Sequence, residues 1–447
     1  MSTLESLEAY SVKKARVADG LRHGAGRIAL RKKSISNLFR YSPRHEQVRR
    51  LNLSDFDHLI GVDPVARTLD VEGLATFERI VDATLPHGLI PPVTPELKHI
   101  TIGGAICGIG IESTCFRHGF VHDGLIDADV LLGDGRVAVS SATNAHADLF
   151  EALPNSYGTL GYVLRATIRL VPVKPFVHLT TTVHASVPAY LEAIRAATEE
   201  PSIEFIEGLI VSSDRLFLLT ARSVDEVPRL DDIFRQHVFY QLAQQPGDVY
   251  LTTKDYLFRY DPDWFWNIPD SPPYRLFRRY APLTLRNSSF YTRHTHRAAA
   301  IRSLLHLNAG EDTEPLIQDW EVPWATGRDL IEFAVSHIDL EGRPWAIVPI
   351  RTSRSPTLYP IAAHELYLNL GCYCHVKKTP GQEPYYTTRL LDRKCFELGG
   401  IKMLYSSSFL SEEAFNRIYN GDAYQKLKAT YDRDNVFPGL YEKCVQR

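Results

Sequence analysis

At 447 residues the chain exceeds what one hydrophobic core usually organises, so two domains are expected. A composition 44% hydrophobic and 23% charged, with net charge −3, is that of a soluble globular protein and leaves no basic excess for a nucleic-acid backbone. Six cysteines without paired spacing make no disulfide framework, Cys372-x-Cys374 is too tight for a zinc site, and no run reaches the ~18 apolar residues of a membrane span. Reduced thiols, no metal and a cytoplasmic protein are the expectation.

Residues 4–23 carry apolar positions at helical spacing and predict a surface helix. Arg27 to Leu38 follows as a short strand and loop, where Lys32-Lys33-Ser34 reads either as a phosphate contact or as a charged turn. His58 to Val71 predicts two strands around a turn at Pro64 to Arg67. Leu74 to His87 has helical periodicity and stops at Gly88, a good C-cap. The connection through Pro91 and Pro92 then enters TPELKHITIGGAICGIGIESTCFRHG, Thr94 to Gly119.

Gly103, Gly104, Gly108 and Gly110 are close together in that stretch. Such density suits a backbone that approaches an anion, a dinucleotide pyrophosphate being the obvious one, although a purely structural turn is the alternative. A Rossmann fingerprint fails in detail: Gly108-x-Gly110 would open G-x-G-x-x-G, but Ser113 holds the third glycine position, and glycines and histidines interrupt Phe116 to Gly124 where a helix should follow. Beyond it, Val130 to Leu132 and Val137 to Val139 alternate around Asp134-Gly135, a hairpin signal. Leu160 to Val171 alternates again, and Pro172 and Pro175 mark the end of a compact α+β unit near Phe176.

From residue 177 strand-like runs (His178 to Val183, Leu209 to Ser212, Leu216 to Thr220) alternate with helical ones such as Ala189 to Thr198. Aromatics are dense between Tyr250 and Tyr291, including Trp264, Phe265 and Trp266. They read as ordinary core or, because Pro262, Pro269, Pro272 and Pro273 interrupt them, as an irregular cap over an apolar cavity. Gln318 to Pro323 is polar between apolar flanks. His364 to Tyr373 alternates so that Glu365, Tyr367, Asn369 and Gly371 share one strand face. Ile401 to Ser408 predicts a further strand, and Ser411 caps a helix running to Tyr419.

The order of these elements resembles the FAD-binding vanillyl-alcohol oxidase (PCMH-type) flavoproteins: Pro95-Glu96-Leu97, Thr101 and Gly103-Gly104, then Asp127 to Gly135, then Asp148-Leu149-Phe150 leading to Tyr157-Gly158-Thr159-Leu160-Gly161. Q-D-x-x-V-P at Gln318 to Pro323, L-Y-x-x-x-G at Leu366 to Gly371, M-L-Y at Met403 to Tyr405 with E-E-x-F ending at Phe415, Gly110-Ile111-Glu112-Ser113 and Phe437-Pro438 resemble the delta-24-sterol reductase branch. The lead-in Leu30 to Ser34 with Asn37 to Arg40 is similar to actinobacterial reductases of 10-methylene fatty acyl chains.

The resemblance implies a two-domain α+β PCMH-type fold, with an FAD-binding domain over residues 1–176 and a substrate cap over 177–447 whose C-terminal segment packs back on the first domain. It assigns the cofactor to Lys33 and Ser34, to Thr101, Gly103, Gly104, Ala105, Gly108, Gly110, Ile111, Glu112, Ser113, Thr114 and Gly119, and to Gly158, Thr159, Leu160 and Gly161. The R-G-G-x-H loop of covalent attachment is not found before Leu51, which implies non-covalent FAD and leaves a linkage through Cys107 or Cys115 as the alternative.

The implied reaction is hydride transfer from NADPH through the flavin to a carbon–carbon double bond of a lipid, in fatty acid biosynthesis. The methylene substrate would come from a SAM-dependent cyclopropane-synthase-like methyltransferase. Glu321, Tyr367 and Glu365 are the expected proton donors, with Gln318 and Asn369 orienting. The rivals are a sterol alkene, a dehydrogenase of a lipid-linked sugar or alcohol using His364 or Lys402 as base, and a non-catalytic flavin or lipid binder. Reaching a lipid without a spanning segment calls for peripheral membrane contact, expected through the aromatics between Trp264 and Tyr291.

Overall fold

The computed structural model describes residues 5–24, 26–33, 48–235, 237–266, 271–294, 313–378 and 380–445. It is an α+β protein with two large sheets and, among the described residues, two further two-stranded pairs. The first domain holds β1 (Ile28–Arg31) and β2 (Arg49–Asn52) as a parallel pair. Its main sheet is built from β3 (Leu59–Asp63), β4 (Thr68–Glu72), β6 (Leu125–Leu131), β7 (Val137–Ser141) and β8 (Tyr162–Arg169), while β5 (Leu89–Ile90) pairs with β9 (Val171–Pro172). The main sheet runs β3-β4-β8-β6-β7, antiparallel throughout. Asp134-Gly135 makes the β6–β7 turn, with Gly135 at φ +79°, a conformation only glycine takes without strain.

The helix Leu7–Arg22 packs Tyr10, Val17 and Leu21 against Phe56, Tyr162 and Phe437. That cluster joins the start of the chain to its C-terminal segment. Lys428 reinforces the join from the C-terminal side: its amine donates to Thr159 O at 2.8 Å and Phe437 O at 2.9 Å and pairs with Asp432 at 2.5 Å.

The second domain is one antiparallel sheet of eight strands. In chain order they are β10 (Phe176–His184), β11 (Phe205–Ser212), β12 (Arg215–Val224), β13 (Gly247–Thr252), β14 (Thr313–Pro323), β15 (Trp345–Ile350), β16 (Tyr367–Lys377) and β17 (Ile401–Lys402). The spatial order is β13-β10-β12-β11-β15-β16-β14-β17. Helix Gly327–His337 sets Gly327 against Leu368, and helix Tyr386–Glu397 accepts the Trp320 indole N–H on Asp392 at 2.8 Å. Helices thus cover the even-numbered face of β14 and β16. The odd-numbered face, with Asp319, Asn369, Gly371 and Tyr373, is turned towards the first domain. Among the described residues no helix is long and apolar enough to cross a membrane.

Candidate active site

The two domains close on a cleft of about 480 Å³. Its floor is the glycine stretch. Thr101 leads extended backbone into the helix Ile102–Cys107, and the Ile102 and Gly103 N–H groups donate to Ala75 O at 3.0 Å and Gly73 O at 2.8 Å, pinning the turn just beyond β4. A Cβ at Gly103 would come 2.7 Å from the Gly73 carbonyl oxygen. Gly104 serves a different purpose: it is exposed to the cleft, and a Cβ there would meet only Thr101 Oγ1, at 2.8 Å. Ala105, Gly108, Gly110, Ile111 and Glu112 continue the surface, and Gly158 and Gly161 complete it.

Other residues expected at the cofactor lie behind this surface. Thr114, after Ser113, precedes the short helix Cys115–His118 without a side-chain capping bond. Gly119 takes φ +72° beside the Asp123 carboxylate, Thr159 Oγ1 donates to Ser156 O at 2.7 Å, and Leu160 is in the core. They shape the loop without lining the cleft. Lys33 also turns away, exposed and paired with Asp57 at 2.9 Å, whereas its neighbour Lys32 lines the cleft, where burial lowers its amine to about 8. Ser34 lies outside the described residues.

The floor fits a diphosphate: small residues leave the backbone accessible, and the Lys32 and Lys443 side chains flank it. Cys107 lines the cleft too, but burial pushes its thiol up to about 11, and burial pushes the Cys115 thiol well above its usual range. Burial thus favours the protonated form of both thiols, which makes them poor nucleophiles at neutral pH.

The roof is the odd-numbered face of β14 and β16. Asp319 lies at its centre, accepting from Asn369 Nδ2 at 2.8 Å, Tyr373 OH at 2.8 Å and Tyr405 OH at 2.7 Å. Burial raises the Asp319 carboxyl, and the hydrogen bonds from Tyr405, Asn369 and Tyr373 oppose that rise. Burial, then the neighbouring Asp319 charge, hold the Tyr373 and Tyr405 phenols well above the usual tyrosine range. The Tyr373 ring stacks on Phe265, centroids 4.2 Å apart and 5° between planes, with Trp266 edge-on at 5.8 Å. Phe265 and Trp266 are therefore buried in the cavity wall and are not surface aromatics.

Among the five residues expected to act on substrate, only Asn369 lines this cleft. Glu321 shares the face of Asp319, but the Tyr359 hydroxyl covers it, and burial followed by the nearby Asp319 charge raises its carboxyl well above the usual range. Tyr367 lies further along β16, its hydroxyl accepting from Ala362 N at 2.9 Å. Gln318 points to the other face, donating to Met403 O at 2.7 Å and accepting from Ser406. Glu365 precedes β16, which begins two residues later, and is exposed. The proposed bases are also displaced: His364 is exposed, and Lys402 is buried against Asp392 at 2.8 Å.

A second polar cluster clamps the domains. Arg259 donates to Glu112 at 2.7 Å, to Glu96 at 3.4 Å and to Glu207, drawing two residues around the glycine stretch to β11 of the cap. The Arg259 guanidinium is fully buried and lies over the Tyr256 ring at 4.5 Å. Burial raises both Glu96 and Glu207, the neighbouring Glu112 adding to the rise in Glu96 and Arg259 opposing both. Three carboxylates around one cation leave excess negative charge in a buried place, which favours the neutral forms of Glu96 and Glu207.

Sequence reasoning did not single out Asp319, Tyr373, Tyr405 or Arg259. Three of them were within view: Asp319 sits in the Q-D-x-x-V-P segment, Tyr405 in M-L-Y, and Tyr373 four residues after Asn369 on the same strand face.

Residues 36–141 match the FAD binding domain family. The chain is an FAD-dependent oxidoreductase with a PCMH-type FAD-binding domain. Across most of its length it is similar to Delta(24)-sterol reductases. It is 27% identical over 425 residues to that of Macaca fascicularis and 26% identical over 425 residues to that of Homo sapiens, in each case covering 91% of this chain and 79% of the relative. With the Arabidopsis thaliana enzyme it shares 25% identity over 443 residues, 90% of this chain and 76% of the relative.

Proposed function

We propose that this flavoprotein reduces a carbon–carbon double bond of a lipid with electrons from NADPH, a methylene-branched fatty acyl chain being the favoured substrate. A SAM-dependent methyltransferase would install the methylene group. The observation that carries this reading is the Asp319 network in the roof of the cleft. FAD, when bound, supplies the hydride; the chain must hold the alkene and supply the proton to its other carbon. Tyr373 and Tyr405 keep their phenolic protons under burial and beside Asp319, and Asn369 fixes the other carboxylate oxygen. The proton is thus stored at a defined place in a largely apolar cavity. Phe265, Trp266 and Tyr373 present aromatic rings there, which favour the tertiary cationic character that protonating a methylene group develops.

The similarity to Delta(24)-sterol reductases favours a second substrate, a sterol alkene, reduced by the same network. Anaerobic enzyme bleached by NADPH and then mixed with a 10-methylene acyl lipid or a sterol alkene decides between them: the substrate is the one that restores the oxidised flavin spectrum. Failure of both, with bleaching of oxidised enzyme by a polyprenyl-linked sugar, would replace the reductase by a dehydrogenase.

A further inference from the structure

Next to the cleft the fold carries a segment whose polarity is reversed for a protein in water. The helix Pro272–Tyr280 buries Arg278 and exposes Leu276 and Tyr280 at 63% and 71%. At ~100° per residue, Tyr274, Phe277 and Arg278 lie together on the inward arc, while Arg275, Arg279, Leu276 and Tyr280 share the outward one. The following turn, Leu283–Leu285, exposes both of its leucines, at 48% and 42%. Four of the large exposed hydrophobics of the described residues therefore fall within ten positions. Residues 271–294 carry five arginines and no aspartate or glutamate, in a chain of net charge −3.

We propose that the outward face of this helix and turn docks on an anionic lipid surface. Leucine and tyrosine at the centre of an exposed face are costly in water but favourable in the acyl–headgroup boundary, and arginines beside them complement lipid phosphates. An acidic protein partner would explain the arginines but gives no reason for three leucines to be exposed within ten positions of them. The segment is also tied to the cleft wall. Tyr274 donates to Asp263 at 2.7 Å, Arg286 reaches Asp263 at 3.4 Å, and Tyr291 donates to Pro262 O at 3.0 Å, directly before Phe265 and Trp266. A lipid surface seated here would lie against the aromatic side of the cavity, whatever the reaction within.

The test is co-sedimentation of the full-length, flavin-loaded protein with vesicles of equal parts phosphatidylcholine and phosphatidylglycerol, and with pure phosphatidylcholine. Binding to the anionic vesicles, weakening with salt, is expected. Leu276→Glu with Leu283→Glu, and separately Arg275→Glu with Arg279→Glu, should each lower the partition coefficient by ~10-fold or more while keeping flavin content and melting temperature. Wild-type protein that stays in the supernatant at low salt, or both double variants sedimenting like wild type, would overturn the proposal. So would retention on an immobilised acidic peptide without vesicle binding, which assigns the face to a protein partner.

Discussion

Gly371 makes the space occupied by the Asp319 carboxylate. The two residues are register partners on β14 and β16, and a Cβ at position 371 would lie 2.5 Å from Asp319 Oδ1. Gly371→Ala should therefore swing the carboxylate off Asn369 while leaving the strand pair formed. Alkene reduction is expected to fall with flavin content and circular dichroism retained; unchanged turnover would mean that the position of this carboxylate is unimportant.

Removing the hydroxyl that Asp319 orients is a more direct test. Tyr373→Phe keeps the stack on Phe265 but deletes the proton, so alkene reduction should drop by ~10²–10⁴-fold while NADPH still bleaches the flavin. Glu321→Gln, covered by Tyr359, should cost much less. If stopped-flow traces show the larger loss in Glu321→Gln, the donor is Glu321.

The same glutamate predicts a pH effect on stability. Glu321 holds its proton more tightly folded than unfolded, because burial and then Asp319 oppose its charge. Its contribution to stability is fully present below the unfolded carboxyl value of ~4.3 and is lost as pH rises through the raised folded value. Glu321→Gln, a permanently neutral mimic, should thus raise the melting temperature relative to wild type more at alkaline than at acidic pH. Parallel melting curves for the two proteins across that range would disprove it.

Flavin should be released intact by acid or heat, since the two thiols near the floor are held protonated. Gly104→Val should give folded, colourless protein, because its side chain has open cleft before it and only Thr101 Oγ1 beside it. Flavin remaining with the precipitated chain, or a yellow Gly104→Val, contradicts these expectations.

Arg259→Met leaves Glu96, Glu112 and Glu207 buried without their cation. Losing one partner of a buried charge cluster costs about 3–5 kcal/mol, so a marked fall in the denaturation midpoint is expected, softened at low pH where the carboxylates take up protons. A midpoint unchanged at neutral pH would show that the cluster does not hold the domains together.

Local signals carried much of the fold. Asp134-Gly135 announced its hairpin, Gly88 its helix end and Ser411 its cap, which accepts from Ala414 N at 3.2 Å. The glycine stretch announced the floor because its cause is local. The roof was harder for a physical reason: alternation shows that residues 319 and 321 share a face, but not where along that face the cleft stops and Tyr359 begins. Glu365 was drawn in because alternation continues past the point where hydrogen-bonded pairing ends, at Pro323–Tyr367. The Arg259 clamp gathers residues separated in sequence by 163, 147 and 52 positions, for which no spacing rule exists.

One feature of the cleft bears on how the protein is made. Its lining begins at Ile28 and includes Pro438 and Lys443, the Lys443 amine donating to the Tyr157 carbonyl beside Gly158. A ribosome delivers the glycine floor several hundred residues before it delivers this last wall. The cradle is therefore incomplete until the returning C-terminal segment has folded against it, so a chain stalled or cut before Pro438 is expected to retain flavin less well than the whole chain.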